Sequence, residues 1–171
     1  MKLFKLFIVL SFTLLLSANI FGQAAVDIPI SVKDNTGDLW IINFGLDLSA
    51  TNGIDPSLGE FDGCFIGPPP LFYACWALPP FPGYLSSPKD YRSPGDPPAF
   101  PFNGTIQYSI IFVPTNYPIT IIWNLPLEIA TTSTIQDIWG GSLINKPFWG
   151  IDSLVITNPS VNQLYVFVEY D

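Results

Sequence analysis

The residues best equipped for chemistry lie in one short stretch. Asp47, Ser49, Thr51, Asn52, Asp55, Glu60 and Asp62 fall within 16 residues, with Gly53 and Gly59 between them to allow tight turns. Hard oxygen donors on a glycine-containing loop are the ligands Ca²⁺ takes, six to eight per ion. The spacing is not that of an EF-hand. Counting from Asp47, the glycine needed at the sixth position is Asn52 and the bidentate glutamate needed at the twelfth is Leu58. If an ion binds, Asp47, Asn52, Asp55 and Glu60 are its expected ligands, and Ca²⁺ is the one cofactor this chain suggests. The commoner role of Asp47, Asn52 and Asp55 in such a loop is to satisfy the local backbone through Asx-turns. A carboxylate pair for glycoside hydrolysis needs two acids facing across a cleft. Asp62, Asp90, Asp96 and Asp137 are the residues that would have to supply it.

Aromatic rings are the second resource, with five Trp, seven Tyr and 14 Phe. Trp40 and Trp123 lie on apolar strand faces and are expected in the core. Trp76 and Tyr84 fall in proline-rich surroundings, and Trp139 and Trp149 flank Gly140-Gly141 and Gly150. Planar rings on rigid loops stack on sugar rings, so Trp76, Tyr84, Trp139 and Trp149 form the expected glycan platform. The alternative is that they cap the sandwich ends, since each aromatic side chain buries roughly 150–250 Å². Lys89-Asp90-Tyr91-Arg92 reads as a local ion pair beside a packed Tyr, or else as a ligand contact. Asn103-Gly104-Thr105 fits an N-glycosylation acceptor, and Asp152-Ser153-Leu154 resembles an O-glycosylation site of Bacteroidota periplasmic proteins.

The chain has no His, which removes the commonest general base, the Ser-His and Cys-His pairs and nearly all zinc designs. Lys2 and Lys5 precede an apolar run, Leu6 to Leu16, followed by small and polar residues up to Ala25. That pattern is a cleaved secretory signal over residues 1–24, with processing after Gly22 or Ala24. The run of 11 residues is too short for the ~20 of a membrane-spanning helix. No Cys lies near the cut, so a lipoprotein anchor is not expected. The expected location is therefore secreted: extracellular, cell-surface or periplasmic. Cys64 and Cys75 are expected to pair there, stabilising by about 3 kcal/mol in the chain-entropy model. The remainder holds four basic residues (Lys33, Lys89, Arg92, Lys146) against fourteen acidic ones, a net charge of −10. Nucleic acid would be repelled by that charge, and anionic membrane surfaces are disfavoured for the same reason. Neutral glycans and cell-surface proteins fit it.

The elements that must position these residues are strands. Ile28, Ile30 and Val32 alternate with polar neighbours, as do Trp40, Ile42, Phe44 and Leu46. The same holds for Ile106 to Phe112, Ile119 to Trp123, Leu154 with Ile156, and Leu164 to Tyr170. This period of two, with turns at Asp34–Gly37, Pro114–Pro118, Gly140-Gly141 and Asn158-Pro159, predicts an all-β chain. No stretch has a helical period. Residues 25–171 are the size of one domain, predicted as an antiparallel β-sandwich, Ig-like or jelly-roll-like, of about seven to nine strands. Pro29 marks an edge strand in this reading, and Pro29 and Glu169 would protect edges at Val26–Lys33 and Leu164–Tyr170. Residues 67–101 hold 11 of the 18 prolines, with one strand expected around Phe72–Leu78. Rigid extended loops fit this segment better than a ligand for an SH3-like partner, because it sits between core strands.

Residues 44–60, FGLDLSATNGIDPSLGE, resemble a motif of the form FGLDxxATDGIDxxLGE. The proline cluster, the aromatic strand near Phe72–Trp76, Lys89-Asp90-Tyr91-Arg92 and Ile119–Pro126 follow in the same order. Together they resemble an uncharacterised N-terminal β-sandwich domain of secreted Bacteroidota-type proteins. The resemblance implies a sandwich fold and export, commonly with a C-terminal sorting domain for type IX secretion, and no reaction. The Cys64/Cys75 pair is not expected of most members. The chain stops at Asp171 without a sorting domain, so it is expected to be a fragment or to use another export route. The function expected is a non-catalytic structural, adhesion or interaction module of an exported protein. A carbohydrate-binding module is the alternative, and a carboxylate-dependent glycoside hydrolase the third reading.

Overall fold

The computed structural model describes residues 22–64, 72–80, 85–113 and 116–171. The signal segment to residue 21, Tyr84 and the Pro68–Pro70 cluster lie outside the described residues. Among the described residues, eleven strands form two sheets packed face to face. They are β1 (Val26–Lys33), β2 (Leu39–Leu46), β3 (Tyr73–Ala77), β4 (Ser86–Ser87), β5 (Lys89–Arg92) and β6 (Gly104–Val113). Then come β7 (Ile119–Asn124), β8 (Thr134–Asp137), β9 (Asn145–Pro147), β10 (Ile151–Ile156) and β11 (Gln163–Tyr170). One sheet runs β10-β7-β1-β2-β5 and the other β4-β3-β6-β11-β8-β9. The β-sandwich expected from the alternation is therefore present. Its strand number exceeds seven to nine because β4, β5 and β9 are too short to leave a period-two trace. All pairings are antiparallel except β2 with β5. The helical content of the described residues is a single 3-10 turn, Pro56–Leu58.

The inward residues of both sheets make one core. Phe44, Trp76 and Tyr108 meet at its centre, with ring centroids 5.1–5.7 Å apart and interplanar angles near 60°. Edge-to-face pairs of this kind contribute about 0.5–1.5 kcal/mol each beyond burial. Tyr108 and Tyr170 share a hydrogen bond through their hydroxyls, and Tyr108 also donates to the Gly45 carbonyl across the sheets at 2.9 Å. Gly45 is required there: a Cβ would lie 1.9 Å from the Val26 carbonyl oxygen.

Two edge assignments are corrected. β1 is the middle strand of its sheet, and β11 lies between β6 and β8. Pro29 is tolerated because the ladder to β7 covers only Ile30–Lys33, so β1 is paired on one side at that residue. The Asp34 turn forms as expected between β1 and β2. Its Oδ1 accepts from the backbone N–H groups of Thr36, Gly37 and Asp38.

Candidate functional site

The acid-rich loop follows β2 and folds back onto the edge strand β5. Asp47 accepts from the Ala25 and Ser49 N–H groups and from the Ser49 hydroxyl. Burial acts to raise its pKa, but these hydrogen bonds prevail and leave it below the usual carboxylate value. Asp55 accepts from the N–H and hydroxyl of Thr51. Glu60, only 2 % exposed, bridges two segments. One oxygen takes the Asp55 N–H at 2.8 Å and the other takes the Tyr91 N–H of β5 at 2.7 Å. Desolvation pushes the Glu60 carboxyl up to about 7 against those two hydrogen bonds, aided by the nearby charges of Asp90 and Asp55. Glu60 thereby occupies a donor on the outer side of β5, an edge that would otherwise be open to pairing.

Asn52 and Arg92 close the arrangement. The Arg92 guanidinium grips Asp90 through Nε and Nη2, and its Nη1 donates toward Asn52 Oδ1 at 3.4 Å. Asp90 and Arg92 are both buried, and burial raises the Asp90 carboxyl against the pull of Arg92. Tyr91 is buried with Ala24, Ala50 and Leu58 in a small second cluster. The loop thus brings Asp55 and Glu60 together, sends Asn52 to Arg92, and commits Asp47 to the chain entering β1. Its carboxylates are occupied by donors of the chain itself, as Asx-type turn residues are. Among the described residues no three His, Cys, Asp or Glu side chains are grouped to hold a metal ion.

The acids considered for hydrolysis are dispersed. Asp90 is on β5 of one sheet and Asp137 on β8 of the other. Asp137 is buried, and its carboxylate gathers the N–H groups of Trp139, Leu143 and Ile144, fixing the β8–β9 hairpin. Burial would raise its pKa, yet these donors hold it below the usual value. Asp62 receives a long contact from the Ser86 N–H. Asp96 lines a cleft with Asn52, Arg92 and Gln107.

The expected aromatic platform separates into three fates. Trp76 is fully buried, with 0 % exposure, and belongs to the core. It was misplaced because β3 is covered on both faces, so its proline-rich flanks say nothing of exposure. Trp139 and Trp149 are about half exposed, at 49 % and 48 %. Trp139 rides on the Asp137-braced hairpin and Trp149 on the link from β9 to β10. Tyr84 lies outside the described residues. Cys64 and Cys75 are disulfide-bonded, tying the end of the acid-rich loop to β3.

A different aromatic pair stands on a sheet face. Leu164, Val166, Val168 and Tyr170 of β11 are buried, so the alternate residues Gln163, Tyr165, Phe167 and Glu169 face outward. The Tyr165 and Phe167 rings are 6.4 Å apart. In register, Tyr165 lies between Ser109 and Gln136, with Asn145 one strand further. Phe167 lies between Gln107 and Thr134, with Pro147 beyond. Gln163 donates to the Ser109 hydroxyl at 2.9 Å. Ser109 is buried beneath this contact, while Gln107, Thr134, Gln136 and the two rings are half-buried. The signal was present in the alternation that marked Leu164 to Tyr170 as inward. Alternation alone does not separate an outward ring that binds from one that merely covers the sheet.

Comparison with family models, with curated proteins and with solved structures finds no match.

Proposed function

We propose that this chain is a non-catalytic interaction module of an exported protein, and that the outer face of its six-stranded sheet binds a neutral glycan. The observation that carries the reading is the half-buried Tyr165–Phe167 pair set among Gln107, Thr134 and Gln136. Sugars present axial C–H groups of slight positive character, which fit the negative face of an aromatic ring. Their hydroxyls both donate and accept, and Gln, Asn, Ser and Thr do the same. A rigid sheet holds these groups without the ordering cost a loop would incur.

The disulfide fits an oxidising compartment, and no helix among the described residues is long and apolar enough to cross a membrane. The net charge of −8 over the whole sequence, −10 over residues 25–171, disfavours polyanions and leaves neutral polysaccharides as compatible ligands. The test is binding to insoluble and soluble neutral polysaccharides by the wild type, by Tyr165→Ala with Phe167→Ala, and by Trp139→Ala. The reading requires saturable binding that the sheet-face double variant removes and Trp139→Ala retains. Binding lost in Trp139→Ala and kept in the double variant would move the site to the loops.

A further inference from the structure

A cleft of about 550 Å³ borders that face. Its floor is Thr105 and Gln107 of β6, and its wall is the Ser93–Pro98 arm together with Asn52 and Arg92. The arm is self-braced: the Gly95 N–H reaches the Ser93 carbonyl, and the Ser93 hydroxyl reaches the Gly95 carbonyl at 2.8 Å. Gly95 adopts φ +93°, a left-handed conformation that a side chain would strain. Gln107 belongs to both places, since it lines the cleft and stands opposite Phe167 in the β6–β11 register. The Phe167 row and the cleft are therefore one strand apart, about 4.8 Å, which is comparable to one sugar ring. On the far side of β6 the cleft is bounded by Pro79, where the chain leaves β3, and by Arg92.

We infer that this cleft is an end-binding pocket, which takes the terminal residue of the glycan lying over Tyr165 and Phe167. The inference rests on the sheet-face reading and adds where the chain stops and what its last sugar must be. A ligand running from Tyr165 over Phe167 and Gln107 reaches this cleft, whose wall is the Ser93–Pro98 arm. Within the cleft, the amides of Asn52 and Gln107 and the hydroxyl of Thr105 offer donors, and Asp96 offers an acceptor-only carboxylate. Donors and a carboxylate together suit the vicinal hydroxyls of a neutral sugar. Because the Arg92 charge is already matched by Asp90, an acidic sugar would meet Asp96 with no net positive charge to offset it. The terminal residue is accordingly a neutral sugar, and uronic acids are rejected.

Isothermal titration with cello-, xylo-, manno- and chito-oligosaccharides, with their polymers and with oligogalacturonate tests both statements. The expected result is one protein per glycan chain whatever the chain length, and no binding of oligogalacturonate. Asp96→Asn and Asn52→Ala are each expected to weaken binding about tenfold, the equivalent of one good hydrogen bond. Both residues lie at the surface of the loops, and a thermal melt of each variant checks its fold. Protein bound per chain that grows with chain length, with Asp96→Asn and Asn52→Ala inert while Tyr165→Ala abolishes binding, would overturn the end pocket and leave the sheet face standing. Binding of none of the neutral glycans would overturn both.

Discussion

Glu60 makes stability depend on pH in an unusual direction. Its carboxyl is only 2 % exposed and is raised from an ordinary 4.5 to about 7, chiefly by desolvation. A folded-state pKa above the unfolded one means the native protein holds the extra proton, so stability is greatest below the unfolded pKa and is lost as pH rises through the folded one. The difference of about 2.5 pKa units corresponds to about 3 kcal/mol, lost between roughly pH 4.5 and pH 8. About 1 kcal/mol of that falls between pH 6 and pH 8, and the Asp90 carboxyl, raised to about 6, adds a smaller loss of the same sign up to about pH 7. For a domain of this size the full change corresponds to a drop in Tm of roughly 6–12 °C. Glu60→Gln removes the titration. It also replaces one of the two oxygens facing the Asp55 and Tyr91 N–H groups with a donor, which costs about 1–3 kcal/mol at every pH. Thermal melts of both proteins across this range are expected to show the variant less stable in acid and the gap closing toward pH 8. A wild-type Tm that is flat or rises from pH 6 to pH 8, or a Glu60→Gln variant with the same slope, would refute the reasoning.

Three further outcomes follow from the geometry. Reducing the Cys64–Cys75 bridge, or replacing both residues with Ser, should cost about 3 kcal/mol in chemical denaturation, from the short loop it closes. Gly45→Ala should cost about 3 kcal/mol or more, because its Cβ meets the Val26 carbonyl at 1.9 Å and β1 must shift, disturbing the Tyr108 hydrogen bond to Gly45. EDTA should leave the Tm unchanged, because Asp47, Asp55 and Glu60 each already accept at least two donors of the chain. A fall in Tm that added Ca²⁺ reverses would show an ion in the loop.

The fold was legible wherever one strand face is buried. Alternation located β1, β2, β6, β7 and β11, and the residues it marked as inward make up much of the core. Strand order was not legible. Pro29 pointed to an edge, but a short ladder to β7 lets a proline sit in the middle strand. β4, β5 and β9 are too short for any period, and β5 joins β2 in parallel through a long connection that sequence spacing does not encode. The acid-rich loop was legible as turn chemistry, since Asp47 with Ser49 and Asp55 with Thr51 are local pairs. The long-range contact of Glu60 with Tyr91 was not, because nothing local links residues 31 positions apart. Trp76 was misread because a strand covered on both faces carries no outward register. Tyr165 and Phe167 were in plain view as the complement of a buried set. The cleft required tertiary structure, since Asn52, Arg92, Asp96 and Gln107 come from separate segments of the chain.

Mapping a bound glycan onto the surface tests the central claim most directly. Backbone amide chemical shifts, followed while the neutral oligosaccharide that binds best is added, should move at Gln107, Thr134, Gln136, Tyr165 and Phe167 and stay still at Trp139 and Trp149. Shifts confined to the two tryptophan loops, or none at all with any neutral glycan, would contradict a binding site on the face of the six-stranded sheet.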